Sequence, residues 1–295
     1  MLQRFVLGTA QFGSVYGVGN KNGKLDQLEI KKILDLCLEN NMSILDTAHS
    51  YGSSETNLGN IGISKFDVIT KIPPLQKNVF RNSLVRDYLL QSLEKLNVNQ
   101  VKGLLLHDAS DLEQNEDIFH ELLSLKKEGL TRNIGISVYD FHLMTKLMKK
   151  YELDFVQCPF NVFDRRLIES KILLNSTNQK IKIYARSIFL QGLLLMPTNE
   201  IPSYFNMWHP LFEEWNDWVN DNGLSAYEAC LAFCLSHQEI DYFLIGVDNI
   251  SQMKQLINHL PALTMLAEDL NIPKSLSSSD LRLINPSMWA IKQAK

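Results

Sequence analysis

The sequence predicts a single-domain α/β protein, a (β/α)₈ TIM barrel, and three observations favour this fold. First, eight β-prone runs alternate with helical segments along most of the chain, as expected of parallel strands joined by helices. Second, the length of 295 residues suits one barrel. Third, several strands end in ionisable residues, and barrel enzymes place their catalytic groups at strand ends. Counting elements does not by itself distinguish a barrel from an open doubly wound sheet.

The first half of the chain contains four predicted strands, each followed by a helical pattern. The strands cover residues 4–7, 43–46, 67–71 and 103–107. The helices are predicted over residues 27–40, 54–59, 84–96 and 113–128. Asp26 and Glu29 have the spacing of a capping box at the start of the first helix. Gly129 suits the left-handed position that follows a helix, so the fourth helix should end there.

The second half repeats the alternation. The strands are predicted at residues 133–137, 155–158, 181–185 and 242–245, and the helices at residues 140–150, 165–174, 225–236 and 249–260. Asp140 should cap the first of these helices, and Ser225 with Glu228 forms a second capping box. An irregular region at about 191–209 is rich in proline. No linker divides the chain, so the domain covers residues 1–295, with the barrel over about 5–260 and a C-terminal extension over 261–295.

Composition and charge exclude several classes of function. A net charge of −4 without a basic block offers no footprint for nucleic acid or an anionic membrane. No apolar run approaches the ~20 residues that span a bilayer, and a strand begins within four residues of the start, so we expect no signal peptide and a cytoplasmic protein. The four cysteines stand in apolar contexts as expected of buried thiols, and no His or Cys pair accompanies them at zinc spacing; they are Cys37, Cys158, Cys230 and Cys234.

Two glycine patterns near the N-terminus fail as phosphate-binding motifs. Residues 8–13 have the glycine spacing of a P-loop, but Ser14 and Val15 stand where lysine and serine or threonine are required. Residues 16–19 lack the third glycine and the following helix of the Rossmann motif. A dinucleotide would therefore have to be held by the barrel in another way.

Asp46, Tyr51, Lys71 and His107 form a coherent acid–base group. Three of them close successive strands, and Tyr51 lies in the loop after the first. A lysine ammonium beside the phenol is expected to lower the tyrosine pKa from ~10, and an aspartate can keep that lysine charged. A histidine can donate to the tyrosine or to a substrate oxygen. Such a group suits proton transfer to a carbonyl oxygen while a cofactor delivers hydride. For any single strand end, capping or packing remains the alternative.

With these residues identified, the chain resembles the aldo-keto reductase family. The run Asp46-Thr-Ala-(two residues)-Tyr51-Gly-(one residue)-Ser54-Glu55 matches the family signature, and Lys71 with His107 completes its tetrad. Further matches lie in residues 135–137, 157–161, 191–193 and 245–246, and the resemblance covers about residues 5–260. It implies that Tyr51 is the proton donor, that Lys71 and His107 tune it, and that Asp46 holds Lys71.

The resemblance also implies NADH or NADPH as the cofactor, extended over the barrel mouth, and no metal. Its carboxamide would meet Ser137 and Gln157, its pyrophosphate the loop 187–193, and its adenosine end the start of the last helix. The residues implied in cofactor binding are Gly8, Thr9, Asp46, Ser137, Gln157, Arg186, Ser187, Phe189, Gln191, Gly192, Gly246, Asn249 and Gln252.

Three positions depart from the family pattern. Val138 stands where asparagine is common, which affects one contact with the carboxamide. Arg186 stands where an aromatic ring usually stacks on the nicotinamide. Its guanidinium plane could stack in the same way or bind a carboxylate or phosphate of the substrate, and a surface arginine in a misjudged register is the third alternative. Asp248 could bond a ribose hydroxyl or repel a 2′-phosphate, so both cofactors stay open.

The expected activity is reduction of an aldehyde or ketone by NAD(P)H. Residues expected to contact the small-molecule carbonyl substrate are Phe12, His49, Tyr51, His107 and Arg186, with core packing as the alternative for Phe12 and solvent exposure for His49. Segments 8–13 and 185–192 resemble bacterial family members associated with surface-polysaccharide sugar pathways, which implies a sugar or a sugar derivative.

Two other functions remain as alternatives. One is a cofactor-sensing binding subunit of the same fold, although a sensor needs no proton relay. The other is a Schiff-base aldolase, which is weaker because a lysine held by an aspartate stays protonated. We expect a monomer or a small homo-oligomer.

Overall fold

Eight parallel strands close into a barrel in the computed structural model, which describes residues 2–20, 23–75, 83–170 and 172–290. The strands are β1 (Phe5–Gly8), β2 (Ile44–Asp46), β3 (Asp67–Ile72), β4 (Val101–Leu106), β5 (Thr131–Ser137), β6 (Phe155–Pro159), β7 (Lys182–Arg186) and β8 (Tyr242–Gly246). Each strand pairs with the next, and β8 pairs with β1. The register places Gly8 opposite both Asp46 and Gly246, so the carboxyl ends share one rim. The predicted (β/α)₈ barrel is confirmed.

Helices connect the strands. They are α1 (Ala10–Gly13), α2 (Gln27–Glu39), α3 (Ser54–Ile61), α4 (Leu84–Leu96), α5 (Ser110–Gln114), α6 (Asp117–Lys127), α7 (Phe141–Lys150), α8 (Arg166–Glu169), α9 (Ile172–Gln179), α10 (His209–Asp221), α11 (Ala226–Leu235), α12 (Ile250–Asp269) and α13 (Leu281–Ile284). The caps predicted at Asp26, at Asp140 and at Ser225 with Glu228 are all present. Gly129 has a φ of 80°, as expected after α6.

The barrel interior is packed with apolar side chains toward its amino end. This inner cluster consists of Val6, Ile44, Ile69, Leu105, Phe155, Tyr184 and Leu244. A second and larger apolar core lies between the strands and the surrounding helices, and the four cysteines are buried there as free thiols. The predicted ionisable residues therefore gather at the opposite, carboxyl end of the barrel.

Two predicted helices are each divided in the structure. The helix expected over 113–128 is split into α5 and α6 because Asn115 takes an extended conformation, with φ −147° and ψ 112°. The helix expected over 165–174 is split into α8 and α9, and Ser170 at the end of α8 is extended as well. One extended residue is enough to interrupt the hydrogen-bond ladder of a helix.

Two further helix predictions were wrong at the C-terminal side of the barrel. The helix α10 was not predicted, although Pro210 suits a first turn and Phe212, Trp215 and Val219 form a buried stripe. The last helix was expected to end at residue 260, but α12 continues through Pro261 to Asp269. Its buried face continues past the proline with Leu263, so tertiary packing outweighs the cost of the proline.

The extension after α12 folds back on the barrel. Arg165 donates to the carbonyl oxygens of Ile272 (3.2 Å) and Pro273 (2.9 Å). The Trp289 ring packs against Phe205, with the ring centroids 5.0 Å apart. In the described part of the chain, no helix is both long and apolar enough to cross a membrane.

Candidate active site

The barrel register brings the ends of β1 to β4 together at one rim. Asp46 ends β2 and lies opposite Ile69 of β3, two residues before Lys71. His107 follows β4 directly, and its backbone N–H donates to the Ile72 carbonyl oxygen at 3.0 Å. Tyr51 lies in the loop between β2 and α3. Residues that are separated by up to 61 positions in sequence are thus neighbours in space because parallel strands share an end.

Lys71 is the centre of the group. Its Nζ donates to Asp46 Oδ2 at 2.5 Å, to the Thr47 carbonyl oxygen at 2.8 Å and to the Tyr51 hydroxyl at 3.3 Å. All three ammonium hydrogens are therefore used. Asp46 Oδ1 also accepts from Gln157 Nε2 at 2.7 Å, which fixes the carboxylate from the far side of the barrel. The geometry holds the ammonium beside the phenol, as the sequence predicts.

The electrostatics of Tyr51 differ from the sequence-based expectation. Burial and the Asp46 carboxylate raise the pKa of Tyr51, whereas the Arg186 guanidinium lowers it. The predicted decrease of this pKa was therefore wrong, because burial of the phenol, together with the Asp46 carboxylate, outweighs the positive charge nearby. The phenol keeps its proton at neutral pH, which is the form that a proton donor needs.

His107 is a neutral imidazole beside the phenol. Its ring centroid lies 5.8 Å from that of Tyr51, with the ring planes at 80°. Burial, with the positive charges of Lys71 and Arg186, lowers the pKa of His107 to about 3. Its Nδ1 is buried and has no hydrogen-bond partner among the described residues. A neutral imidazole has one N–H, which can donate to an oxygen at the site.

A cleft of about 430 Å³ extends from the tetrad to the start of α12. Asp46, Tyr51 and Gln157 line its inner end, and Asp248 and Gln252 line the end at α12. Loops after β1, β7 and β8 form its walls, and the loops after the last two strands are where TIM barrels commonly hold phosphate groups. Its volume lies in the range of cofactor sites.

The loop after β7 has a constrained backbone where it lines the cleft. Ser187, Leu190 and Gln191 have φ values of 60°, 48° and 55°, in the left-handed region that side chains disfavour. Gly192 has a φ of 88°, and a Cβ added there would lie 3.1 Å from Gly19 Cα. The β1 and β7 loops therefore meet beside the cleft at two glycines, Gly19 and Gly192, where a side chain would be too close to the opposite backbone. These features fit the implied cofactor.

All the predicted cofactor-binding residues line this cleft except Ser137 and Asn249. Ser137 is buried next to Gln157 in the sheet register. Asn249 caps α12, where its Oδ1 accepts from the Gln252 backbone N–H at 2.9 Å. Each of the two residues therefore lies next to a residue that lines the cleft, Ser137 beside Gln157 and Asn249 beside Gln252.

Two predicted substrate contacts are corrected by the structure. Phe12 is fully buried in the apolar core, because the single turn α1 directs it inward. The His49 ring packs edge-on against Tyr88 of α4, with centroids 5.0 Å apart. Its Nε2 lies 3.3 Å from both Gln91 Oε1 and Lys95 Nζ, so it faces α4 and not the cleft.

Two site residues were not predicted. The Gln11 amide lies over Gly246, where an added Cβ would be 2.8 Å from its Nε2, and it also bonds the Asp248 side chain. Tyr139 lies under the Arg186 guanidinium, with 3.8 Å between the guanidinium carbon and the ring centroid. The signal for Tyr139 was its place just after β5, since each strand end faces the site.

A closed parallel barrel with an acid–base group at the carboxyl ends of its strands defines a (β/α)₈ barrel enzyme. The chain belongs to the aldo/keto reductase family, whose family model matches residues 4–277. These are oxidoreductases.

Among relatives, the chain is 23% identical over 297 residues to an uncharacterized oxidoreductase, YqkF, of Bacillus subtilis, covering 93% of this chain and 96% of that protein. It is 26% identical to L-galactose dehydrogenase of Arabidopsis thaliana, covering 77% and 76% of the two chains. It is 28% identical to the oxidoreductase sirO of Leptosphaeria maculans, where the match covers 69% of this chain and 64% of that one. In fold, it resembles the holo form of the aldo-keto reductase AKR11C1 from Bacillus halodurans, with a TM-score of 0.72, 17% identity and 95% coverage of each chain.

Proposed function

We propose that this protein is a NAD(P)H-dependent reductase of a small aldehyde or ketone, with Tyr51 as its proton donor. The observation that carries the proposal is the Lys71 ammonium, which donates both to the Asp46 carboxylate and to the Tyr51 hydroxyl, two residues that line the inner end of the cleft. When bound, the reduced nicotinamide supplies the hydride for the carbonyl carbon.

The chain's own residues carry the proton side of the reaction. The Tyr51 hydroxyl donates its proton to the carbonyl oxygen as that oxygen gains negative charge, so that a C=O group becomes CH–OH. The phenolate left behind is stabilised by the Lys71 ammonium at 3.3 Å. A neutral His107 donates a hydrogen bond to the same oxygen, which requires no change in its charge.

Cofactor binding would fall to the walls of the cleft. The cleft is lined along its length by Gln157, Ser187 and Gly192. At the start of α12 it is lined by Gly246 and Gln252. Ser137 and Asn249 would act behind this wall, by supporting Gln157 and the first turn of α12. The sugar or sugar-derived substrate implied by the sequence is consistent with the name of one relative, L-galactose dehydrogenase.

The test is a cofactor titration followed by a carbonyl panel. Tryptophan fluorescence should show saturable binding of NADH or NADPH. Oxidation of the bound cofactor should then depend on an added carbonyl, with benzaldehyde, D-glyceraldehyde and D-galactose as probes. Tight cofactor binding without turnover of any aldehyde, ketone or sugar would contradict the proposal.

A further inference from the structure

Arg186 places a positive charge inside the candidate active site. It is the last residue of β7, and its side chain lines the cleft beside Tyr16 and Tyr51. The guanidinium stacks on the Tyr139 ring at 3.8 Å, and one of its NH₂ groups donates to the Val138 carbonyl oxygen at 3.3 Å. Stacking and this hydrogen bond fix the plane of the guanidinium, whose five N–H donors outnumber these contacts.

The charge of Arg186 is not balanced by a carboxylate. Among the described residues, none forms an ion pair with it: Asp46 is paired with Lys71, and Asp164 with Arg166. The groups that face it most closely are phenols, those of Tyr16, Tyr51 and Tyr139. A half-buried cation with no carboxylate partner among the described residues is costly, so an arginine held in this state is suited to an anion brought by a ligand.

We propose that the carbonyl substrate carries an anionic group, a carboxylate or a phosphate, which Arg186 binds during reduction. This inference rests on the proposed function and names its substrate class. Arg186 and Tyr51 line the same cleft, and the Arg186 charge influences the pKa values of Tyr51, Lys71 and His107. An anionic group bound by Arg186 would therefore lie near the hydroxyl that donates to the reacting carbonyl.

The phosphates of the cofactor are a second possible source of the anion. The glycines Gly19 and Gly192 and the loops after β7 and β8 lie farther along the cleft, where the described lining residues include no lysine or arginine. The position of Arg186 at the tetrad favours the substrate over the cofactor. The two sources are separable, because substrate KM and cofactor Kd are measured independently.

The experiment compares matched neutral and anionic carbonyls. The pairs are D-glyceraldehyde with D-glyceraldehyde 3-phosphate, and butanal with succinate semialdehyde. The wild-type protein should favour one or both anionic members in kcat/KM. Arg186→Met should raise the KM of that anionic probe by about 10- to 100-fold, since charge-assisted hydrogen bonds of this kind have such an effect. The KM of the neutral member of the pair should change by only a few fold.

Three further measurements make the result interpretable. Arg132→Met removes an arginine that pairs with Asp67 at the opposite end of the barrel, and it should leave the preference unchanged. Inorganic phosphate should compete with D-glyceraldehyde in the wild-type protein, a readout that does not depend on whether a variant folds. Arg186→Lys, which keeps the charge but loses the planar fork, should restore only part of the anion preference.

Three outcomes of these experiments would contradict the inference, and they differ in what they imply for the proposed function. Equal kcat/KM for both members of both pairs in the wild-type protein would overturn the inference, although reduction of the neutral probes would still support the proposed function. A weaker cofactor affinity in Arg186→Met with an unchanged anion preference would assign the arginine to the cofactor and also overturn it. Absence of turnover with every carbonyl would end both proposals.

Discussion

Lys71 is the residue on which the candidate site depends, because its three hydrogen bonds join a carboxylate, a backbone carbonyl and a phenol. Its side chain is 1% exposed, so its charge is maintained by Asp46 and not by water. Burial lowers the pKa of Lys71, and the Asp46 carboxylate opposes that decrease. The sequence could identify these residues because each follows a recognisable strand. It could not give the sign of the Tyr51 pKa shift, which depends on burial.

The first prediction concerns pH. In the reduction direction, the active form has a protonated Tyr51 and a neutral His107. The pKa of Tyr51 is raised and the pKa of His107 is lowered to about 3, so neither group titrates between about pH 5 and about pH 8. The kcat for a neutral aldehyde should therefore be constant over this range. A decrease in kcat on acidification with a midpoint near ~6.5 would mean that His107 titrates normally.

The second prediction concerns the buried pair of Asp46 and Lys71. Asp46→Ala leaves a buried ammonium without its counter-ion and should lower the free energy of unfolding by about 3–5 kcal/mol. Adding Lys71→Met removes the unpaired charge, so the double variant should be more stable than Asp46→Ala. Urea unfolding of both variants measures this difference. A double variant less stable than Asp46→Ala would show that the unpaired Lys71 ammonium does not destabilise the protein.

At the scale of elements, the loop between β7 and α10 connects the site to the rest of the molecule. One side of this loop lines the cleft with Phe189 and Gln191, while the Leu194 carbonyl oxygen accepts from Trp215 Nε1 of α10 at 3.0 Å. Its short 3₁₀ turns and α10 were missed by the sequence prediction. Three prolines there obscure the helical pattern, and the structure depends on contacts with distant segments such as Trp289 on Phe205.

The third prediction concerns the attachment of the C-terminal extension. Arg165 is 6% exposed and donates to three backbone carbonyl oxygens, those of Val162, Ile272 and Pro273. Arg165→Ala should lower the free energy of unfolding by about 2–4 kcal/mol, because it leaves these carbonyl groups without a charged donor. Arg132→Ala breaks an exposed ion pair and should cost about 1 kcal/mol or less. Similar losses in urea unfolding for the two variants would contradict this role of Arg165.

The fourth prediction concerns cofactor preference at the start of α12. Asp248 lines that end of the cleft, and the described residues of the cleft wall include no lysine there. A carboxylate near the adenosine end should disfavour a 2′-phosphate, so we expect NADH to bind more tightly than NADPH. Asp248→Asn removes the charge at nearly constant side-chain size. It should reduce the ratio of the NADPH Kd to the NADH Kd by about fivefold or more.

Fluorescence titration of both cofactors checks this preference. Asp35→Asn is the control, since Asp35 pairs with Lys31 on the exposed face of α2. Tighter NADPH binding in the wild-type protein, unchanged by Asp248→Asn, would show that Asp248 does not face the 2′-position.

At the scale of the whole molecule, the barrel was predictable because its strands and helices follow a local pattern in the sequence. Short apolar runs alternating with amphipathic helices require no knowledge of distant contacts. The tetrad followed from the same pattern, since parallel strands bring their ends together. The place of Tyr139 after β5 was a signal for that residue, but neither the stacking of Arg186 on its ring nor the position of the Gln11 amide over Gly246 had one. Each contact joins segments that are far apart in sequence, and only closure of the barrel makes them neighbours.

Local conformation explains why the substrate contacts predicted for Phe12 and His49 were wrong. Both residues follow a strand at the correct end of the barrel, but the Phe12 side chain in α1 turns into the core and the His49 side chain turns toward α4. A strand end fixes which rim a residue occupies, whereas the loop conformation fixes whether its side chain reaches the cleft.

The most direct test of the proposed chemistry is a single-turnover measurement on Tyr51→Phe with reduced cofactor already bound and an aldehyde added in excess. The rate of cofactor oxidation should fall by about 10²–10⁴-fold, the usual contribution of a positioned general acid, with an unchanged Kd for the cofactor. Tyr242→Phe, at the amino end of β8, should react like the wild-type protein. Oxidation in Tyr51→Phe at a rate within a few fold of wild type would show that the Tyr51 hydroxyl is not the proton donor.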